Sequence, residues 1–200
     1  MRSVAVREEV REAILDATDR LLARYGYKKM TIDDLAQEVG IGKGTVYLHF
    51  SSKEEVALSH IDRIIERLQE RLRALAGEDA PPADRLRRML VERVVFRFDS
   101  VQHYTQSLNE LLAALRPRLL ARRQNYFAEE MRIFAQVLAE GKRLKMFTVK
   151  DERATAELLL VATNSLLPYS LSTRELGGRD EITKKISSLA DLLVVGLLRR

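Results

Sequence analysis

Lys43, Gly44 and Thr45 place an ammonium, a bare backbone and a hydroxyl beside a methyl in succession. Such groups suit contact with DNA. Glycine lets the backbone come close, threonine offers a methyl or a hydroxyl to base edges, and lysine offers charge. Other chemistries find little support in the residue types. The chain has no cysteine, which excludes a disulfide framework and a thiolate metal site. His49, His60 and His103 are not paired at ligand spacing, and neither HExxH nor an acidic metal loop is present. Gly40-Ile-Gly-Lys-Gly44 lacks the spacing and the strand of a phosphate-binding loop or a dinucleotide fingerprint, and no nucleophile elbow occurs. Catalysis, a cofactor and a metal are therefore not expected.

The elements that must hold Lys43 to Thr45 in place lie in the stretch Met30–Lys53. Thr31 is an N-cap, with Asp34 three residues on as its capping partner. Leu35, Ala36 and Val39 then share one helical face. Gly40 stands where a helix ends in a left-handed residue, and Ile41 is the apolar plug after it. A second short helix starts near Lys43, with Val46, Tyr47 and Phe50 available to pack. Ser52 and Glu55 form a capping box that opens a third helix. Two helices joined by such a turn make a helix-turn-helix, which sets its second helix in the major groove.

Together with Ala13-Ile-Leu-Asp-Ala17 and Tyr25-Gly-Tyr27, this stretch resembles the DNA-binding domain of the tetracycline-repressor (TetR) family over roughly residues 7 to 60. The resemblance implies an all-α, homodimeric transcriptional regulator: a helix-turn-helix domain at 1–52, then a ligand-binding and dimerisation domain at 53–200. It implies that Lys43, Gly44, Thr45 and Tyr47 face DNA, that His49 and Lys53 touch phosphates, and that Thr31 caps a helix start set against a phosphate.

Global charge does not support DNA binding. Residues 1–80 hold 13 Lys and Arg against 15 Asp and Glu, while residues 81–200 hold 21 against 14. Phosphate contact must rest on a few placed groups: Lys28, Lys29, Lys43, Lys53 and Arg7. No apolar run approaches a membrane span, and the first residues are too short and charged for a signal peptide, so a cytoplasmic protein is expected with no membrane partner.

Helical spacing predicts about nine helices in all. The first runs from about residue 7 to 25 and stops at Gly26, with Arg2 and Arg7 as a candidate arm for the minor groove. A long helix over 53–76 links both halves and could transmit a shift. Gly77 to Pro82 breaks the chain. A helix follows to Phe98, then irregular chain and a shorter helix from Asp99 to Leu115. Pro117 opens another helix, which Gly141 stops, and Met146-Phe-Thr148 forms an apolar tuck. The last helices, from Asp151 towards Pro168 and from Asp180 to Leu198, flank a loop at Arg174–Asp180.

In the family the last helix pair forms a four-helix bundle across a two-fold axis. Leu158, Val161 and Ala162 on one helix, with Ile186, Leu189, Ala190, Leu193, Val194 and Leu197 on the other, are the expected dimer residues. A dimer supplies two half-sites, hence a palindromic double-stranded operator. Polar and aromatic candidates for an effector pocket are Arg93, Phe96, Arg97, His103 and Tyr104. Asn109, Tyr126, Phe127, Asn164 and Tyr169 complete the set. Excess arginine in this half favours an anionic or lipophilic effector. The expected function is a repressor released from its operator by a small molecule. The alternative is a dimeric DNA-binding module that recruits a protein and has no small-molecule effector.

Overall fold

The computed structural model describes residues 2–168, 175 and 177–199, with side chains from residue 6 onward except 105–107. Among these it holds eight α-helices: α1 (Arg2–Lys29), α2 (Ile32–Val39), α3 (Lys43–His49), α4 (Lys53–Ala76), α5 (Pro82–Val101), α6 (Thr105–Arg143), α7 (Glu152–Asn164) and α8 (Arg179–Leu197). A 3-10 turn at Gln102–Tyr104 separates α5 from α6. The fold is all-α, as the apolar periodicity predicts. Tyr169, a pocket candidate, and Arg174 lie outside the described residues.

The chain forms two compact units, residues 1–64 with 103–121 and residues 65–102 with 122–200. Neither is a contiguous segment, and a cut at residue 52 falls inside the first. The reason is burial on both sides of that cut. Val56, Ala57 and Leu58 of α4, with Leu111 and Leu115 of α6, are as fully buried as Ile14, Leu22 and Leu35.

In the first unit α1 packs on α2 and α2 on α3. Gly26 takes φ 73°, ψ 169°, interrupting α1 before one last turn to Lys29. Arg63 of α4 ties back to α1 through Glu12 and Asp16 at 2.9 and 2.8 Å. His60 lies inside this unit, 2% exposed. Its Nε2 stands 3.4 Å from the Tyr104 hydroxyl and 3.6 Å from Asp19.

One sequence expectation fails between Asp99 and Pro117. The chain there is helical, α5 reaching Val101 and α6 running unbroken from Thr105 with Pro117 inside it. A proline in a helix interior removes one backbone hydrogen bond, which makes Pro117 look like a start. The stripe Leu108, Leu111, Leu115 is buried and accounts for helix where irregular chain is expected before it.

In the second unit α5, α7 and α8 pack together. One apolar cluster takes Leu86, Met89 and Leu90 of α5 with Phe134, Val137 and Leu138 of α6 and Leu160 of α7. A second takes Val94, Val95 and Phe98 with Leu167, Ile182 and Ile186. Gly141 does not stop α6, which continues to Arg143. A Cβ at Gly141 would stand 2.1 Å from the Phe147 ring, so the glycine is there to let the tuck close. Thr148 N–H donates to the Leu197 carbonyl at 2.8 Å and Arg199 N–H to that of Met146 at 2.9 Å, pinning the end of α8.

Candidate nucleic-acid interface

The turn between α2 and α3 fixes the interface from behind. Asp34 N–H donates to Thr31 Oγ1 at 3.1 Å, and Thr31 N–H donates to Asp34 Oδ2 at 2.9 Å, a reciprocal capping box. Thr31 Oγ1 also donates to that carboxylate at 2.7 Å. At the other end Gly40 takes φ 77°, ψ 33°, where a side chain is disfavoured. Its N–H donates to Gln37 O and the Ile41 N–H to Ala36 O, at 3.2 and 2.9 Å, closing a Schellman motif. Val46 of α3 and Phe50 after it are buried, so α3 is anchored along one side only.

The opposite side of α3 is open. Lys43, Gly44 and Tyr47 are exposed and Thr45 is half-buried. Tyr47 is 49% exposed, so it belongs to the outward set and is not a packing residue beside Val46. A Cβ at Gly44 would meet nothing within 4 Å. No neighbour in the fold requires a glycine there. Leu48, 73% exposed, lies on the same open surface and was not singled out from the sequence; only its adjacency to Tyr47 could have flagged it.

Four of the five charged groups, Lys28, Lys43, Lys53 and Arg7, are already partnered within the unit. Lys43 Nζ stands 2.8 Å from Asp33 Oδ2, and this bond raises the lysine pKa. Lys53 Nζ donates to the Tyr27 carbonyl at 3.1 Å and lies 4.6 Å from the Tyr27 ring centre. Lys28 pairs with Glu110 at 3.6 Å. Arg7 Nη2 donates to the Leu48 carbonyl at 3.4 Å, at the end of α3. His49 has its pKa lowered, first by burial and then by the Arg7 and Arg11 charges, so it favours the neutral ring. A phosphate would meet an imidazole N–H flanked by guanidinium charge.

Residues 14–59 match the family model described as bacterial regulatory proteins, tetR family. That segment is a TetR-family DNA-binding domain. It is 29% identical over 106 residues to the HTH-type transcriptional regulator TtgR of Pseudomonas putida, covering 52% of this chain and 50% of TtgR. The chain spans about half the length of the curated relatives it matches, 41% and 50% of the first two. Solved TetR-family folds align over nearly the whole chain. A regulator from Pectobacterium atrosepticum covers 98% of this chain and 97% of its own, with TM-score 0.75 and 18% identity. SmeT, solved in complex with triclosan, covers 96% and 92%, with TM-score 0.71 and 19% identity.

The pocket candidates divide between the two units. His103, Tyr104 and Asn109 fall in the first unit, where Tyr104 is buried and the other two are exposed. Arg93, Phe96, Arg97, Tyr126, Phe127 and Asn164 fall in the second. Asn164 Oδ1 accepts from Arg93 Nη2 at 2.8 Å within its own subunit. The dimer candidates also divide. Ile186, Ala190 and Val194 are fully buried in the subunit's own core, and Ala162, Leu189, Leu193 and Leu197 are half-buried. Leu158 and Val161 are 69% and 52% exposed, joined by Leu192 and Val195 of α8 at 74% and 60%. The most regular apolar stripe of α8 is its inner side. The breaks in that stripe, leucine and valine standing outside it, mark the outer one.

Among the described residues no helix is long and apolar enough to cross a membrane.

Proposed function

We propose that this chain is a homodimeric, cytoplasmic transcriptional repressor that binds a palindromic operator and leaves it on binding a small molecule. The observation that carries DNA binding is α3, held rigidly through Val46 and Phe50 while Lys43, Gly44, Thr45 and Tyr47 point outward. In this reading Thr45 and Tyr47 meet base edges, and His49, Lys53 and the Thr31-capped start of α2 meet phosphates. The exposed apolar residues Leu158, Val161, Leu192 and Val195 are covered by the same surface of a second copy, an isologous contact that holds two reading heads to two half-sites.

Effector response is supported by the fold shared with SmeT, which was solved with triclosan. The helix α4 begins at Lys53 in the first unit and ends at Ala76 in the second, so one continuous element is available to couple them. The test is a mobility-shift titration on DNA upstream of the chain's own gene, first without and then with apolar candidate effectors. A complex that dissociates with one of them supports the reading. DNA binding that no candidate changes removes the effector, and no binding to that DNA or to selected palindromes removes the regulator.

A further inference from the structure

The end of α3 gathers positive charge that its start does not. Arg7 and Arg11 of α1 stand four residues apart and so share one helical face. Arg7 Nη2 reaches the Leu48 carbonyl at 3.4 Å, and the Arg11 guanidinium lies 5.6 Å from the centre of the Phe50 ring. Between these two contacts comes His49, the last residue of α3, with its ring centre 6.4 Å from that of Phe50. Arg7 is exposed, and its bond to Leu48 uses one of several donors. Arg11 meets Glu8 and Glu12 at 3.7 and 3.5 Å, long pairs with exposed carboxylates, which hold its charge weakly.

This crowding sets the protonation of His49. Burial, then the Arg7 and Arg11 charges, hold the ring below the ordinary histidine value of 6.5, while Glu8 pulls the other way. Carbonyls at the end of a helix also favour a cation, but Arg7 occupies that of Leu48. The ring is therefore neutral at neutral pH in the unbound protein. A DNA strand laid along this end reverses the balance. Its phosphates neutralise the guanidinium charge and accept from an imidazolium, and an opposite charge within about 4–6 Å raises a histidine pKa by about one unit or more. In the DNA-facing set of Thr31, Lys43, Gly44, Thr45, Tyr47, His49 and Lys53, the histidine is the side chain that titrates near neutral pH.

We propose that Arg7, Arg11 and His49 together contact the DNA backbone, and that His49 takes up a proton as the complex forms. This rests on the DNA-binding reading above and gives it a direction, since binding then strengthens in mild acid. Affinity is lowest where His49 is neutral in both states. It rises as pH falls through the pKa of the complex and levels off below that of the free protein.

The experiment is calorimetric titration of the full chain with a random-sequence duplex at constant low salt, because backbone contacts are independent of sequence. It is run at about pH 8 and about pH 6, in two buffers that differ in ionisation enthalpy. Binding is expected to tighten by about tenfold or more at the lower pH, with net proton uptake. His49→Gln keeps a donor but cannot titrate, and is expected to lose both effects. Arg11→Gln is expected to flatten the salt dependence by about 0.9 in the log–log slope. A pH dependence that survives in His49→Gln, or an unchanged slope in Arg11→Gln, overturns the proposal. The proton count needs no variant, so the test stands if either substitution fails to fold: no net uptake by the parent chain overturns it. A duplex bound equally at both pH values keeps the DNA-binding reading and rejects this one, and no binding at either pH rejects both.

Discussion

The Lys53 ammonium stands 3.1 Å from the Tyr27 carbonyl oxygen, so the first residue of α4 closes the end of α1. A lysine that resembles a phosphate contact thus has an internal partner as well. Its ammonium carries a third hydrogen, which a phosphate can still accept. Lys53→Ala is expected to lower stability by about 1 kcal/mol, the worth of one such hydrogen bond. It should also flatten the salt dependence of DNA binding by about 0.9 in the log–log slope. Urea denaturation and a salt series of DNA titrations separate the effects; an unchanged slope would leave Lys53 with bracing alone.

Gly44 tests the reading head without touching the core. Its Cβ position is empty, so Gly44→Ala should fit and raise stability by about 0.5–1 kcal/mol through helix propensity. The same methyl would stand between α3 and a base edge. Operator affinity should fall by about tenfold or more while the melting temperature rises. Wild-type affinity in a stabilised variant would show that α3 does not approach DNA through its backbone here.

Asp33 holds the Lys43 ammonium at 2.8 Å, so in the proposed reading it would compete with DNA for it. The pair is exposed, so its own contribution to folding is small. Asp33→Asn removes a negative charge 2.8 Å from the lysine and frees the ammonium. Affinity for non-specific DNA at low salt should rise by about two- to threefold and lose that gain at high salt. A fluorescence-anisotropy series at two ionic strengths decides it. No change would place Lys43 away from the phosphates.

Glu130 makes the second unit acid-sensitive. Burial alone would raise its pKa, but the Arg97 and Arg93 charges and their hydrogen bonds together hold it below the ordinary glutamate value of 4.5. The native carboxylate therefore binds its proton less readily than the unfolded one. Its stabilisation is complete above about pH 4.5 and disappears as pH falls through the lower native value. Glu130→Gln should cost about 3–5 kcal/mol at neutral pH by removing the buried carboxylate that both guanidiniums share. Below pH 4.5 the gap between mutant and parent should close. Thermal melts from neutral to acid pH would reveal a constant gap if the site contributed nothing.

Leu192→Glu addresses the outer surface. The residue is 74% exposed, so a carboxylate there is tolerated by the isolated subunit and buried only in a dimer. Light scattering should report a folded monomer, and operator affinity should drop by more than about tenfold because the half-sites are no longer held together. A dimer that persists would place the contact elsewhere.

The reading head was legible in the sequence because its signals are local. Thr31 with Asp34, the positive-φ Gly40 and the Ser52 cap each act within four residues, and local rules reach that far. The second unit was less legible because its decisive contacts are not local. Glu130 reads as one acid on a charged helix, yet its partners lie 37 and 33 residues away. Arg93 and Arg97, a turn apart within an apolar run, were the available clue that an acid must face them. Pro117 misled for the opposite reason: it is a strong local breaker, yet it stands inside a helix whose preceding leucines, Leu108, Leu111 and Leu115, are buried. On α8 the helical period was correct, but period alone cannot distinguish the side facing the subunit's own core from the side left outside.

The return of α6 through the first unit limits how such a protein can be divided. A reading head ended at Ile64 would lack Tyr104, Leu108, Leu111 and Leu115, and His60 would lose the hydroxyl it faces. Residues 1–64 are therefore not a transplantable cassette. A chimera that joins this N-terminal segment to another regulator's C-terminal half must carry residues 103–121 with it, or repack them against a foreign partner. Recombination between relatives is constrained in the same way: the residues that finish the DNA-reading core are inherited with the half that carries the Arg93–Glu130–Arg97 cluster.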